Sequence, residues 1–164
     1  MQHAITLSVL LLFSWLTSAL AAADTYPKIT RYYDGDTVKI DDGMRQYKLR
    51  LRDIDAPERN QAYGKKSRLA LMKLCKTAQI QVQLSGIDKY QRDLGILHCN
   101  QQSASAYMVA NGYAWYNQRY AMDGSLLQAQ QQARQQKLGL WRAKSPTPPW
   151  QWRQKHPHAY AKSP

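Results

Sequence analysis

From Tyr26 to about Ile54 apolar and polar residues take turns along the chain, interrupted by two runs, Asp34-Gly35 and Asp41-Asp42-Gly43. A period of two belongs to a strand with one dry and one wet face, and short Asp-Gly runs are hairpin turns. The segment is therefore expected to form three strands joined tightly. In the third, Tyr47, Leu49 and Leu51 share one face while Lys48, Arg50 and Arg52 share the other. Those arginines should emerge from a sheet surface.

Past the strands, Ala62 to Ala78 carries Leu69, Leu71, Met72 and Leu74 among basic residues, the spacing of an amphipathic helix. Ile80 to Leu84 alternates strictly, and Leu94 to Cys99 reads as its partner strand after the loop Asp88-Lys89-Tyr90-Gln91-Arg92. Ser103 to Asn111 and Ser125 to Leu138 read as two further helices, each stopped by a glycine, with Leu126, Leu127, Ala129, Ala133 and Leu138 facing inward on the second. Five strands and three helices make an α+β chain with the elements of an OB-fold β-barrel. Beyond Trp141 the run Ser145-Pro146-Thr147-Pro148-Pro149 argues against a packed helix, so an extended arm is expected, with Trp150 and Trp152 lying on the domain surface. Stacking on bases is their alternative use.

Residues 1–23 contain no Asp, Glu, Lys or Arg, and an apolar run from Ile5 to Trp15 leads to Ala19-Leu20-Ala21-Ala22-Ala23. This is the layout of a secretory signal peptide, too short in its apolar core for a comfortable membrane anchor. The expected product is exported, periplasmic or secreted, without stable membrane insertion once the signal is removed. It would consist of one domain over 24–142 and a basic Pro/Trp-containing tail over 143–164. With 23 Lys and Arg against 11 Asp and Glu, a formal +12, the chain should be drawn to polyanions, nucleic acid foremost. Cys75 and Cys99 are an even pair and suit a disulfide in an oxidising compartment; two buried thiols are the other reading.

Within 25 residues the chain sets Asp34, Asp36, Asp55 and Glu58 beside Arg50, and Arg92 follows later. The acids call for a cation and the arginines for an anion, and metal-assisted cleavage of a phosphodiester uses both. A network of surface salt bridges is the bland alternative. An EF-hand loop is ruled out because Val38 stands where that loop needs an oxygen ligand.

Asp34-Gly35-Asp36-Thr37-Val38, the segment Arg50 to Glu58, the Asp88 to Arg92 loop and Leu138-Gly139-Leu140-Trp141 together resemble the staphylococcal nuclease (thermonuclease) family over roughly Tyr26 to Trp141. The resemblance implies a five-stranded barrel with three helices and a calcium-dependent, sequence-nonspecific endonuclease. Such an enzyme is expected to be monomeric, to cut DNA and RNA, and to leave 3′-phosphate ends. Magnesium and manganese stay open as metals. By the same resemblance Asp36 and Asp55 are metal carboxylates, and Ala56 completes the metal site through its carbonyl. Arg50 and Arg92 bind the phosphate, Glu58 is the general base, Lys89 and Tyr90 hold a neighbouring phosphate, and Tyr120 lines the nucleotide pocket. Asp34 acts either behind the metal ligands or as the start of the turn. Three departures stand out: Gln91 replaces a usual glycine, Gln118 a frequent tyrosine, and Arg52 and Asp53 replace apolar residues. A barrel that binds nucleic acid without cutting, and a cationic envelope protein, are the competing functions.

Overall fold

The computed structural model describes residues 27–157, so the expected signal peptide lies outside the described residues. Strands β1 (Lys28–Tyr32), β2 (Thr37–Asp41) and β3 (Gln46–Leu51) form the antiparallel meander expected from the alternation. After a two-residue β4 (Ile54–Asp55) and helix α1 (Gly64–Cys75), a hairpin of β5 (Ile80–Ile87) and β6 (Asp93–Cys99) returns to the sheet. Strand β6 pairs parallel with β3, Arg50 opposite Leu94. The resulting strand order β1-β2-β3-β6-β5 is that of a partly open barrel of OB type. Two-residue β7 (Gln102–Ser103) folds back antiparallel onto the end of β6, and β8 (Trp115–Tyr116) pairs with β4.

One face of the meander carries the core. Val38, Ile40, Leu49, Leu51 and Ile54 are fully buried against Leu71 of α1, Leu97 of β6 and Met108 and Val109 of helix α2 (Ala104–Ala110). Each such side chain contributes about 1.5–3 kcal/mol by leaving water. Ser103 caps α2 by accepting the Ala106 N–H at 3.3 Å. Helix α3 (Ser125–Gln135) is shorter than the sequence suggests, and its Leu127 faces solvent, 37% exposed, rather than the core. Lys137 has φ +51°, which breaks the helix before a 3₁₀ turn over Gly139–Arg142. That turn buries Leu140 and Trp141 against Trp115 and Ala133, a second small core. Cys75 at the end of α1 and Cys99 at the end of β6 are disulfide-bonded.

The tail corrects one expectation. It forms a fourth helix, α4 (Pro149–Lys155), instead of an extended arm. Pro148 is extended and Pro149 occupies the first helical turn, where its missing N–H has no intrahelical partner to lose. The prolines therefore start a helix rather than forbid one. Pro149 is fully buried, Trp150 is partly exposed, and Trp152 is half-buried with its ring stacked on His156 at 4.4 Å.

Candidate active site

Asp36 ends the turn between β1 and β2. Its N–H donates to Asp34 Oδ1 at 2.9 Å, its own Oδ1 accepts the Thr37 hydroxyl at 2.9 Å, and its Oδ2 accepts the Ala56 N–H at 2.5 Å. The turn is packed so tightly that a Cβ on Gly35 would lie 1.8 Å from Ser67 Oγ and 2.9 Å from Ala56 Cβ, so a larger residue there would have to push these side chains aside. The ladder places Thr37 opposite Arg50, which sets Asp36 beside that arginine. Asp55 enters from β4, pinned opposite Trp115 of β8.

These two aspartates, 4% and 3% exposed, converge. Arg50 Nη2 lies 3.2 Å from Asp36 Oδ2 and 3.1 Å from Asp55 Oδ1, so the two oxygens face one positive point. Arg50 Nη1 is anchored on the Leu51 carbonyl at 2.6 Å. Glu58 follows on the loop after Pro57, its N–H donating to Gln61 Oε1 at 3.0 Å. Burial pushes the Glu58 carboxyl above the usual carboxylate range; the hydrogen bond from Arg153 opposes this and the nearby Asp36 charge adds to it. A carboxylate raised in this way is better matched to accepting a proton near neutrality. Asp34 is raised further, by burial first and then by repulsion from Asp36. Its bond to the Asp36 N–H gives it the turn-starting contact, and its carboxyl also meets that of Asp36.

A second group stands on the loop between β5 and β6. Arg92 donates through Nε and Nη2 to Asp88 Oδ2, both at 2.7 Å, and lies over the exposed ring of Tyr90, as does Lys89. The parallel β3–β6 pairing, which starts one residue after Arg92, carries this loop alongside the strand of Arg50. Gln91 has φ +59°, the left-handed conformation that favours glycine, so its substitution does carry strain. Tyr120 is 68% exposed on the loop after β8, whose Asn117 N–H donates to the Asp53 carbonyl at 2.9 Å, two residues from Asp55. Tyr90 and Tyr120 are thus both surface residues. Gln118 is exposed on the same loop, and Arg52 and Asp53 do pair, at 3.8 Å.

The carboxylates have a partner that the sequence reading missed. Arg153 of α4 donates to both oxygens of Asp55, at 3.1 and 2.8 Å, and to Glu58 Oε1 at 2.8 Å. Gln61, likewise unforeseen, is buried and donates to the Thr147 carbonyl at 2.6 Å while it accepts from Glu58. No local pattern marks either residue; Arg153 reads as one more charge in a basic tail. Among the described residues no three His, Cys, Asp or Glu side chains are spaced to hold an ion together. Asp36 and Asp55 nevertheless fit a hard cation in donor chemistry, being two buried oxygen donors aimed at one positive point, with the adjacent Ala56 able to add a carbonyl.

The family profile described as Staphylococcal nuclease homologue matches residues 48–143, from β3 through the 3₁₀ turn. The chain belongs to the staphylococcal nuclease family. Similar members include a protein named an uncharacterized endonuclease from Haemophilus influenzae, 36% identical across 89% of this chain and 82% of its own. Another of the same description from Escherichia coli O157:H7 is 37% identical across 88% and 94%. A micrococcal nuclease of Shigella flexneri is 34% identical across 84% and 86%. Membership and these relatives support a hydrolase of nuclease type that cleaves nucleic acid internally. Helix α4 lies beyond the matched residues.

Proposed function

We propose that this chain is an exported, monomeric, calcium-dependent endonuclease that hydrolyses DNA and RNA with little sequence preference and leaves 3′-phosphate ends. The observation that carries the reading is the convergence of two buried carboxylates, Asp36 and Asp55, on the Nη2 of Arg50. Asp36, Asp55 and the Ala56 carbonyl would hold the calcium, which supplies positive charge against the phosphate under attack. Arg50 and Arg92 would each donate paired N–H groups to phosphoryl oxygens, whose negative charge grows as water adds. Glu58 would take the proton of that water as the bond to the 5′-oxygen breaks. Lys89 and Tyr90 would hold the adjoining phosphate, and Tyr120 would offer a face to a base. The excess of positive charge would draw the polyanion in.

Supercoiled plasmid and single-stranded RNA incubated with calcium, magnesium or manganese, and then with chelator, test this directly. Cutting with calcium, abolished by chelator, whose products gain 3′-hydroxyls on phosphatase treatment, is the expected result. Glu58→Gln should abolish cutting and leave DNA binding in place. Retention on DNA with no cutting under any metal would favour the binding module instead.

A further inference from the structure

Arg153 occupies the carboxylate of one proposed metal ligand, Asp55. Its two nitrogens occupy both oxygens of Asp55 and one of Glu58, so the proposed metal ligand and the proposed base are engaged together. The contact is built rather than incidental. Pro149 is buried at the start of α4, and Gln61 ties the Thr147 carbonyl to the same loop that carries Glu58. Arg153 itself is half-buried, and Trp152 beside it stacks on His156 at the end of the helix. In this arrangement the site holds three carboxylates, Asp36, Asp55 and Glu58, bridged by two guanidinium groups, Arg50 and Arg153.

We infer that α4 is an autoinhibitory plug: the Arg153 guanidinium substitutes for the divalent cation on Asp55, and metal binding expels the helix. This inference rests on the metal-dependent reading given above. A dication on Asp55 needs an oxygen of that carboxylate, and Arg153 donates to both of them whereas Arg50 takes only Oδ1, so seating the metal requires Arg153 to let go. Arg153 also engages Glu58, so the plugged state blocks the acceptance of a proton from water as well as the metal seat. Release of α4 frees both residues in one movement. Metal affinity is lowered by the fraction of molecules in which the plug is seated, so removing the plug raises it.

The test uses the full chain and the variants Arg153→Ala and Arg153→Gln, with circular dichroism to check folding. Calorimetric titration with calcium chloride is expected to show a Kd about tenfold or more lower in both variants than in the native chain, as for a site plugged at least nine-tenths of the time. Hydrogen exchange of the native chain, which needs no substitution, should show the amides of residues 150–155 losing protection when calcium is added. Equal affinities together with unchanged α4 protection would overturn the plug while leaving the metal-dependent reading intact. Weaker calcium binding in the variants would overturn it too, by making Arg153 a support for the site. If neither the native chain nor the variants bind calcium, magnesium or manganese, the metal-dependent reading fails and the plug with it.

Discussion

At the scale of single residues, the decisive side chain is Arg50. It leaves a strand face whose opposite side is fully buried, so its backbone is fixed by the core while its guanidinium bridges two aspartates. A lysine would keep the charge and lose the fork, since an ammonium cannot hold the Leu51 carbonyl and two carboxylates in one plane. Arg50→Lys is therefore expected to lower kcat by about 10²–10³. Thermal melting should show the variant folded, and a rate within twofold of the native chain would remove Arg50 from phosphate stabilisation. Gln91 shows the same scale from the other side: a residue that the sequence marks as a departure adopts the positive φ its position demands.

Elements explain how groups far apart in sequence become neighbours. The hairpin of β5 and β6 delivers the Asp88–Arg92 loop alongside β3, and Asp88 holds that loop in shape. Its Oδ1 accepts the N–H groups of Tyr90 and Arg92, at 2.8 and 3.0 Å, and its Oδ2 accepts the Arg92 guanidinium. Burial alone would raise the Asp88 carboxyl, but these bonds outweigh it and hold the group below the usual range. A depressed folded pKa means that the stabilisation is complete above the unfolded value, about 3.9, and is lost as pH falls through the lower folded value. Protection of the amides across residues 88–92, taken relative to the intrinsic exchange rate at each pH, should consequently hold down to about pH 4 and fall below it, and an Asp88→Asn variant should lack that step. A loop that loosened between pH 7 and 5 would contradict this account. Helix α4 belongs to the same scale: prolines that read as breakers sit at its start, where they are tolerated.

Across the whole molecule, one disulfide ties the main helix to the sheet. Cys75 and Cys99 join the end of α1 to the end of β6, both buried in the principal core. In the chain-entropy account a closed loop of about 25 residues stabilises by roughly 3–4 kcal/mol. The double variant Cys75→Ala/Cys99→Ala should lose about that much in urea unfolding and keep its fold in native buffer. A loss below about 1 kcal/mol would show that the core alone holds α1 in place. The described residues hold no helix long and apolar enough to cross a membrane.

The amino-acid sequence alone determined the meander, the hairpin, the approximate helices and the set Asp36, Arg50, Asp55 and Glu58. The elements rest on local periods and turn residues, which backbone geometry converts directly into shape, and the set rests on acids and arginines interleaved within 25 residues and on the family resemblance. It left the disulfide open, misjudged α4 and the inward face of Leu127, and held no sign of Arg153 or Gln61 at the carboxylates. Those outcomes depend on which distant surfaces bury each other. Arg153 meets Asp55 across 98 positions of chain, a pairing decided by charge compensation inside a folded cleft, and no sequence period records it. Tertiary structure alone decided that the acids lie under a guanidinium from the tail.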